Sequence, residues 1–315
     1  MQFKYRLLLM VGLLLTLSAC SSTPPGPNPN PSPGDTPGAG VPFSGTLTLD
    51  DYDWFTVTSR LGVIDIDLSS GQKTRVLDGA YPWRHPSGKI TFAQGCGEDV
   101  SLIAVAEGGL ITPITPCSSE ISNPGASPTR FDFSRLSPDQ QRVAVGAGYF
   151  LNGDFRYNTL VFDLSGTLLA TFEDATATAW LPDGRLLLAG NGVYVTDAQL
   201  QNLVRADNNQ LNGPVGNMDV HPSGTLVALE YNQQIWLLDL ATTSVSQLVS
   251  GAKRLAYPTF SPDGAAIAYL ATADKDRYDQ VIYFNDLQTG EPYALDFPDS
   301  NNVSNVPNGP LSWTQ

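Results

Sequence analysis

A proline-centred turn recurs five times in this chain, and the spacing of its copies sets what the chain can fold into. Tyr81-Pro82-Trp83-Arg84-His85-Pro86-Ser87-Gly88 is matched by Tyr257-Pro258-Thr259-Phe260-Ser261-Pro262-Asp263-Gly264. Weaker copies lie between them: Leu136-Ser137-Pro138-Asp139-Gln140, Trp180-Leu181-Pro182-Asp183-Gly184 and Val220-His221-Pro222-Ser223-Gly224. The turn prolines stand 52, 44, 40 and 40 residues apart. Proline presets the first central position of a turn and glycine supplies the positive φ that closes it, so each copy reads as a hairpin turn. An alternating apolar run follows every turn, as at Ile90 to Ala93 and Ala266 to Leu270. A β-branched or aromatic run ending in aspartate comes next in most copies, as at Val63 to Leu68, Leu160 to Leu164, Ile235 to Leu240 and Ile282 to Leu287. A fourth short run then follows, for instance Lys73 to Leu77 or Pro292 to Phe297. Each unit therefore holds four short antiparallel strands, and no stretch carries the sustained 3.6-residue periodicity of a capped helix.

Four-stranded units of about 40 to 45 residues are the blades of a β-propeller. Five complete starts are visible, and a sixth blade is split. Trp54 to Thr58, Gly62 to Leu68 and Lys73 to Leu77 read as strands two to four with no first strand ahead of them. The last residues, Pro310 to Gln315, align with Tyr257 to Pro262 and supply that missing strand. The expectation is an all-β, six-bladed propeller over residues 46–315, closed where the C-terminal strand completes the N-terminal blade and leaves no open sheet edge.

Ser-Pro-Asp-Gly followed by an Ile-Ala-Tyr run and then Ile-Tyr-x-x-Asp-Leu, best seen from Phe260 to Leu287, resembles the WD40-like repeat of the TolB propeller family. The resemblance covers residues 46–315 and implies architecture more than activity, because one fold hosts many functions. The α/β domain that precedes the propeller in that family has no expected counterpart, and a proline-rich segment stands in its place.

Lys4 and Arg6 precede an apolar run from Leu7 to Leu17, too short to span a bilayer as a permanent anchor, which needs about 20 residues. Leu17-Ser18-Ala19-Cys20 resembles the lipobox of bacterial lipoproteins, so residues 1–19 read as a signal peptide and Cys20 as the lipidated residue. An ordinary signal peptide is the alternative. Residues 20–45 hold prolines at 24, 25, 27, 29, 31, 33 and 37 and read as an extended tether. Ser21 resembles the residue that sends such proteins to the outer membrane of a Gram-negative cell, facing the periplasm or the cell surface. Cys96 and Cys117 are the remaining cysteines, and an oxidising compartment favours a disulfide between them over a metal site or two buried thiols.

The chain carries 31 acidic against 17 basic residues, a net charge of -14, which repels phosphate backbones and makes nucleic acid an unexpected partner. Three residues before each turn proline stand Trp83, Arg135, Ala179, Asp219, Thr259 and, in the closing strand, Ser312. The neighbouring position is apolar except at Arg84. Strand alternation then directs the first set into the central channel. These residues other than Ala179, with His85 and His221 at the channel mouth, are the candidate binding positions. The two histidines occupy equivalent turn positions on opposite sides of the ring, so they share neither a metal nor a hydrogen bond. Asp139, Asp183 and Asp263 read as turn formers, as do Asp67, Asp163, Asp197, Asp239 and Asp286 at strand ends. Asp50, Asp51 and Asp53 read as a solvated surface run. No nucleophile elbow, zinc motif or phosphate loop is present, so no catalytic residue, cofactor or metal ligand is assigned.

The function expected is therefore a lipid-anchored, non-enzymatic binding or scaffold protein of the cell envelope. Its partner would be a protein, peptide or glycan, and only the lipid on Cys20 would touch the membrane. The alternative is a hydrolase or lyase acting on an envelope sugar or lactone around a channel-bound ion, using Arg135 and Asp219. Specificity is expected in the long insert Gln94 to Thr129 and in the loops Tyr149 to Tyr157 and Asp274 to Gln280.

Overall fold

A computed structural model describes residues 41–52, 61–97, 100–121, 127–152, 154–250, 254–272, 280–295, 306–307 and 310–315. The expected signal peptide, Cys20, most of the tether, Trp54 to Thr58 and residues 274–279 of the last loop lie outside these. Blade one contains β1 (Thr46–Tyr52), β2 (Leu61–Asp67) and β3 (Lys73–Asp78). Blade two contains β4 (Ala80–Arg84), β5 (Ile90–Gly97), β6 (Val100–Glu107) and β7 (Leu110–Pro113). Blade three contains β8 (Ser127–Leu136), β9 (Arg142–Leu151), β10 (Asp154–Asp163) and β11 (Leu168–Glu173). Blade four contains β12 (Ala177–Trp180), β13 (Leu186–Gly190), β14 (Gly192–Val195) and β15 (Val204–Arg205). Blade five contains β16 (Val215–Val220), β17 (Leu226–Tyr231), β18 (Gln234–Asp239) and β19 (Val245–Val249). Blade six contains β20 (Arg254–Phe260), β21 (Ala266–Thr272), β22 (Gln280–Asp286) and β23 (Pro292–Leu295). Two closing segments, β24 (Val306–Pro307) and β25 (Ser312–Thr314), both pair antiparallel with β1. The molecule is thus an all-β propeller of six blades, with one 3₁₀ turn at Ser118–Glu120 among the described residues.

The turn chemistry works as the repeat implies. In each of the five copies the fourth turn residue donates its N–H to the carbonyl three residues back, as Gly264 does to Ser261 at 2.9 Å. Gly264 has φ +74°, and a Cβ there would run into the His221 ring of the preceding blade. Gln140 takes the same left-handed conformation, φ +58°, in the copy that lacks glycine. On the innermost strands a bulge sits just ahead of the channel position in blades two, three, five and six. In two of them the bulged pair is Tyr-Pro: Tyr81 has φ +51° and Tyr257 φ +53°. Proline has no N–H to give a ladder, so a bulge is where it fits within a strand.

Side chains from each blade pack against the next in six separate apolar clusters, one per blade-to-blade contact. The cluster between blades six and one joins Leu47, Leu49 and Ile66 to Ala268, Phe284 and Trp313. Among the described residues the smallest lies between blades one and two, where Ile90, Phe92 and Ala104 are buried and Leu77 packs on them. A propeller has no single central core, so its stability is the sum of these interfaces around the ring.

Several expectations need correction. The second strand of blade one is β1, Thr46–Tyr52, which pairs with β2 and β25, while the expected Trp54 to Thr58 lies outside the described residues. Asp50 on that strand is not a solvated surface group: it is 1% exposed and accepts the Tyr81 N–H at 3.1 Å across the blade boundary. Its burial follows from the Tyr81 bulge, which turns a backbone N–H out of its own ladder and leaves it needing an acceptor. Tyr149 to Tyr157 is not a loop but the far end of the β9–β10 hairpin, whose strands are ten residues each. Phe150, Phe155 and Tyr157 meet edge to face along it, with ring centroids 5.1 and 4.9 Å apart. Likewise Gln94 to Thr129 contains β6 and β7. Ahead of β1, Val41 is buried and the Phe43 ring packs between Phe284, Tyr293 and Trp313, so the packed chain begins within the expected tether.

Cys96, near the end of β5, and Cys117, beyond β7, form a disulfide with Cα atoms 6.2 Å apart. The bridge spans 21 residues and ties the β5–β6 turn to the chain leaving blade two. Restricting a loop of that length in the unfolded chain is worth about 3 kcal/mol. Replacing both cysteines with serine is therefore expected to lower the urea midpoint by that equivalent, with an unchanged far-ultraviolet dichroism spectrum. Urea titration followed by tryptophan fluorescence measures it.

Candidate functional site

The channel along the ring axis widens, on the face carrying the turn prolines, into a cavity of about 460 Å³. One residue from each blade contributes to its wall at the expected position: Ser312, Trp83, Arg135, Ala179, Asp219 and Thr259. The prolines at 86, 138, 182, 222 and 262 form the rim, joined by His85, His221 and Gln315. All seven channel positions singled out in the sequence therefore face one cavity, as does Arg84.

Several of these polar groups are occupied in holding blades together. The Ser312 hydroxyl accepts the Arg84 N–H at 2.9 Å, from blade one to blade two. Asp219 Oδ2 accepts the Phe260 N–H at 2.9 Å and the Thr259 hydroxyl at 3.1 Å, from blade five to blade six. The carboxylate channel residue thus replaces a missing ladder partner between neighbouring innermost strands. Burial pushes the Asp219 pKa up, and the nearby Arg135 guanidinium, the Phe260 N–H and the Thr259 hydroxyl draw it back.

The histidines belong to their turns. In the Ser-Pro-Asp copies the serine hydroxyl donates to the aspartate, at 2.5 Å for Ser137 to Asp139 and 2.6 Å for Ser261 to Asp263. In the His-Pro-Ser copies the pair is exchanged: His85 Nδ1 accepts the Ser87 N–H and His221 Nδ1 the Ser223 N–H, each at 3.1 Å. His221 Nε2 then donates to the Gly264 carbonyl of the next blade at 3.2 Å, which ties the turn of blade five to that of blade six.

The strand-end aspartates cap turns in the same way. Asp163 accepts from the Ser165 hydroxyl and from the Ser165 and Thr167 N–H groups, and Asp239 from the Thr242 and Ala241 N–H groups. These bonds hold the pKa values of Asp67, Asp163, Asp197, Asp239 and Asp286 below the ordinary carboxylate value. Burial, with a smaller push from Lys89, lowers that of His85. A group whose pKa is lower folded than unfolded stabilises the fold above its unfolded pKa and loses that contribution as pH falls towards the folded value. Stability is therefore expected to fall in two stages on acidification. The first begins near the unfolded histidine value of about 6.5, and the second sets in below about 4 as the turn carboxylates protonate. Thermal melts across pH 3 to 8 check this, and His85→Gln should remove the first stage alone.

Arg135 differs from the other lining residues. Its side chain is 6% exposed, its guanidinium lies 5.3 Å over the Trp83 ring, and its Nη1 is buried without a hydrogen-bond partner. Desolvation lowers its pKa to about 10, offset in part by Asp219, so it stays charged at neutral pH. The sequence places an arginine in the channel, but only the assembled ring shows that its buried Nη1 has no acceptor.

A second convergence of charge went unseen in the sequence. Asp50, Tyr81, Asp132, Glu230 and Tyr257, from five different blades, lie close enough to act on one another electrostatically. Burial raises the Tyr257 pKa, and the carboxylates of Glu230 and Asp50 add to it; for Tyr81 burial leads and Asp132 adds. Asp132 and Glu230 each hold an arginine, Arg130 at 2.6 Å and Arg254 at 3.1 Å. Among the described residues, no group of three or more histidine, cysteine, aspartate or glutamate side chains is placed to hold a metal ion.

The chain matches no protein-family model, and no curated protein is similar to it in sequence. Likeness to known structures is extensive. TolB from Acinetobacter baumannii superposes with a TM-score of 0.65 at 16% identity, covering 87% of this chain and 67% of that one. A chain from a nidogen/laminin complex gives 0.58 at 12% identity, covering 85% and 98%. A putative TolB from Agrobacterium tumefaciens gives 0.52 at 15% identity, covering 81% and 90%. At these identities the likeness establishes the propeller fold and no more.

Proposed function

We propose that this protein is a lipid-anchored, non-enzymatic binding propeller of the cell envelope, which presents the proline-rimmed mouth of its channel to a protein, peptide or glycan. The observation that carries this reading is how the channel's polar groups are used. Asp219, Thr259 and Ser312 are tied into blade-to-blade hydrogen bonds, and both histidines into their turns, so among the described residues no nucleophile, acid and base converge on one point of the channel. What remains open is a concave wall with aromatic and proline surface, the kind of site that binds. The likeness to TolB propellers, and to a chain taken from a two-protein complex, supports a binding role in an extracytoplasmic setting.

The anchor rests on the Leu17-Ser18-Ala19-Cys20 sequence, and Cys20→Ala is expected to move the protein from the membrane to the soluble fraction. The binding face is tested by photocrosslinking in cells. A crosslinker at Gln315 on the rim is expected to trap a discrete partner, and one at exposed Gln247 on the outer strand β19 to trap none. Adducts from Gln247 alone, or from neither position, overturn the assignment of the mouth.

A further inference from the structure

We infer that the channel is a carboxylate-binding site, in which the Arg135 guanidinium receives the two oxygens while the Trp83 ring and the rim prolines hold the apolar remainder of the ligand. The inference deepens the reading of the mouth as a binding face and rests on it. A guanidinium carries five N–H donors in a planar fork and normally meets acceptors when buried. Arg135 is buried, has an orphaned Nη1, and makes no hydrogen bond through its side chain to any described residue. Its charge is retained at neutral pH.

The other charged and titratable groups on this cavity do not supply what is missing. Asp219 interacts with Arg135 through space but is not within ion-pair distance of it, and its Oδ2 is held by Phe260 and Thr259. Arg84 is engaged by Asp65 and Thr48, and the two histidines accept from their own turns through Nδ1. One cation with unfilled donors thus faces a cavity of about 460 Å³, large enough for a small organic acid or the end of a chain.

The fork fits carboxylate and phosphate alike, and the surroundings choose between them. Asp219 lies in the same channel and the whole chain is at -14, so a second negative charge on the ligand is repelled twice over. A singly charged carboxylate with an apolar or aromatic neighbour meets the least repulsion and the most wall.

Isothermal titration calorimetry on the full-length protein, with benzoate, benzamide and inorganic phosphate as probes, tests this directly. Benzoate is expected to bind saturably at one site, at least tenfold tighter than either benzamide or phosphate. Arg135→Gln is expected to remove that preference, and Arg135→Lys, which keeps the charge but loses the fork, to reduce it. Equal affinity for benzoate and benzamide in the unsubstituted protein overturns the inference without need of any variant, as does benzoate binding unchanged in Arg135→Gln. Tighter binding of phosphate than of benzoate also overturns it. A tetrapeptide ending in phenylalanine, compared with its C-terminal amide, identifies the source. Tenfold preference for the acid shows that the site takes chain ends, and discrimination among small acids alone shows that it takes free carboxylates; both uphold the carboxylate site. Failure here with rim crosslinks intact ends the carboxylate site only, while benzoate binding without rim crosslinks ends the partner reading only.

Discussion

Removing the last seven residues, 309–315, is expected to abolish the cooperative thermal transition or to lower its midpoint by about 15 to 30 °C. The deleted segment includes β25, which pairs Ser312 with Thr48, Trp313 with Leu47 and Thr314 with Thr46. It takes with it Leu311, 1% exposed, and Trp313, 6% exposed, from the cluster joining blades six and one. The indole donates to the Ser44 carbonyl at 3.0 Å and meets the rings of Phe43 and Phe284 at 5.6 and 5.3 Å. Losing a buried leucine and a buried tryptophan costs about 6 to 9 kcal/mol, against a total stability of about 5 to 15 kcal/mol for a typical domain. Each kcal/mol moves the midpoint of a domain near this size by roughly 2 to 4 °C. Differential scanning calorimetry decides the matter. Trp313→Ala alone should cost about 3 to 5 kcal/mol and retain a single transition. A truncated chain that melts like its parent would mean that the ring is not held by this closure.

That closure was legible because it is written in the repeat. Pro310 to Gln315 lines up with the start of blade six, and a first strand without its followers can only pair with followers lacking a first strand. The channel positions were legible for the same reason: five copies of one turn fix the register, and alternation supplies the facing. The exchange of Ser-Pro-Asp for His-Pro-Ser also lies within four residues, and it exposes the histidines as turn acceptors. What could not be read depends on atoms far apart in the chain. Asp50 looks like part of an acidic surface run until the Tyr81 N–H, 31 residues away, is seen to need it. The isolation of Arg135 rests on which side chains three different blades present to it. The Tyr149 to Tyr157 segment reads as a loop in the sequence, whereas its residues pair across the β9–β10 hairpin.

Arg84 is the other residue whose role emerges only from the assembled ring, and its replacement carries the second large expected effect. Every other blade places an apolar side chain at this position; Arg84 stands at the contact between blades one and two, whose apolar cluster is the smallest of the six among the described residues. A polar cluster takes its place. The Arg84 guanidinium bridges to Asp65 and donates to the Thr48 hydroxyl at 2.8 Å, and that hydroxyl donates to Asp65 at 2.7 Å. The two charged side chains are 16% and 23% exposed, so the pair is well shielded from water without being fully desolvated. Removing one member of such a pair leaves the other without its partner in a poor solvent for charge, which costs more than the pair itself is worth. Arg84→Ala is expected to destabilise by about 3 kcal/mol, and Asp65→Ala by a similar amount, with an interaction energy of about 1 to 3 kcal/mol in the double-mutant cycle. Replacing both residues with leucine should recover stability to within about 1 kcal/mol of the parent, because the new side chains extend the cluster around Ile90 and Phe92 and leave no charge buried. Urea unfolding of the four proteins measures all of these terms. Single substitutions costing under about 0.5 kcal/mol would place the pair among ordinary surface ion pairs. The thin apolar contact between blades one and two would then have to be held by the backbone bond from Arg84 to Ser312, which none of these substitutions removes.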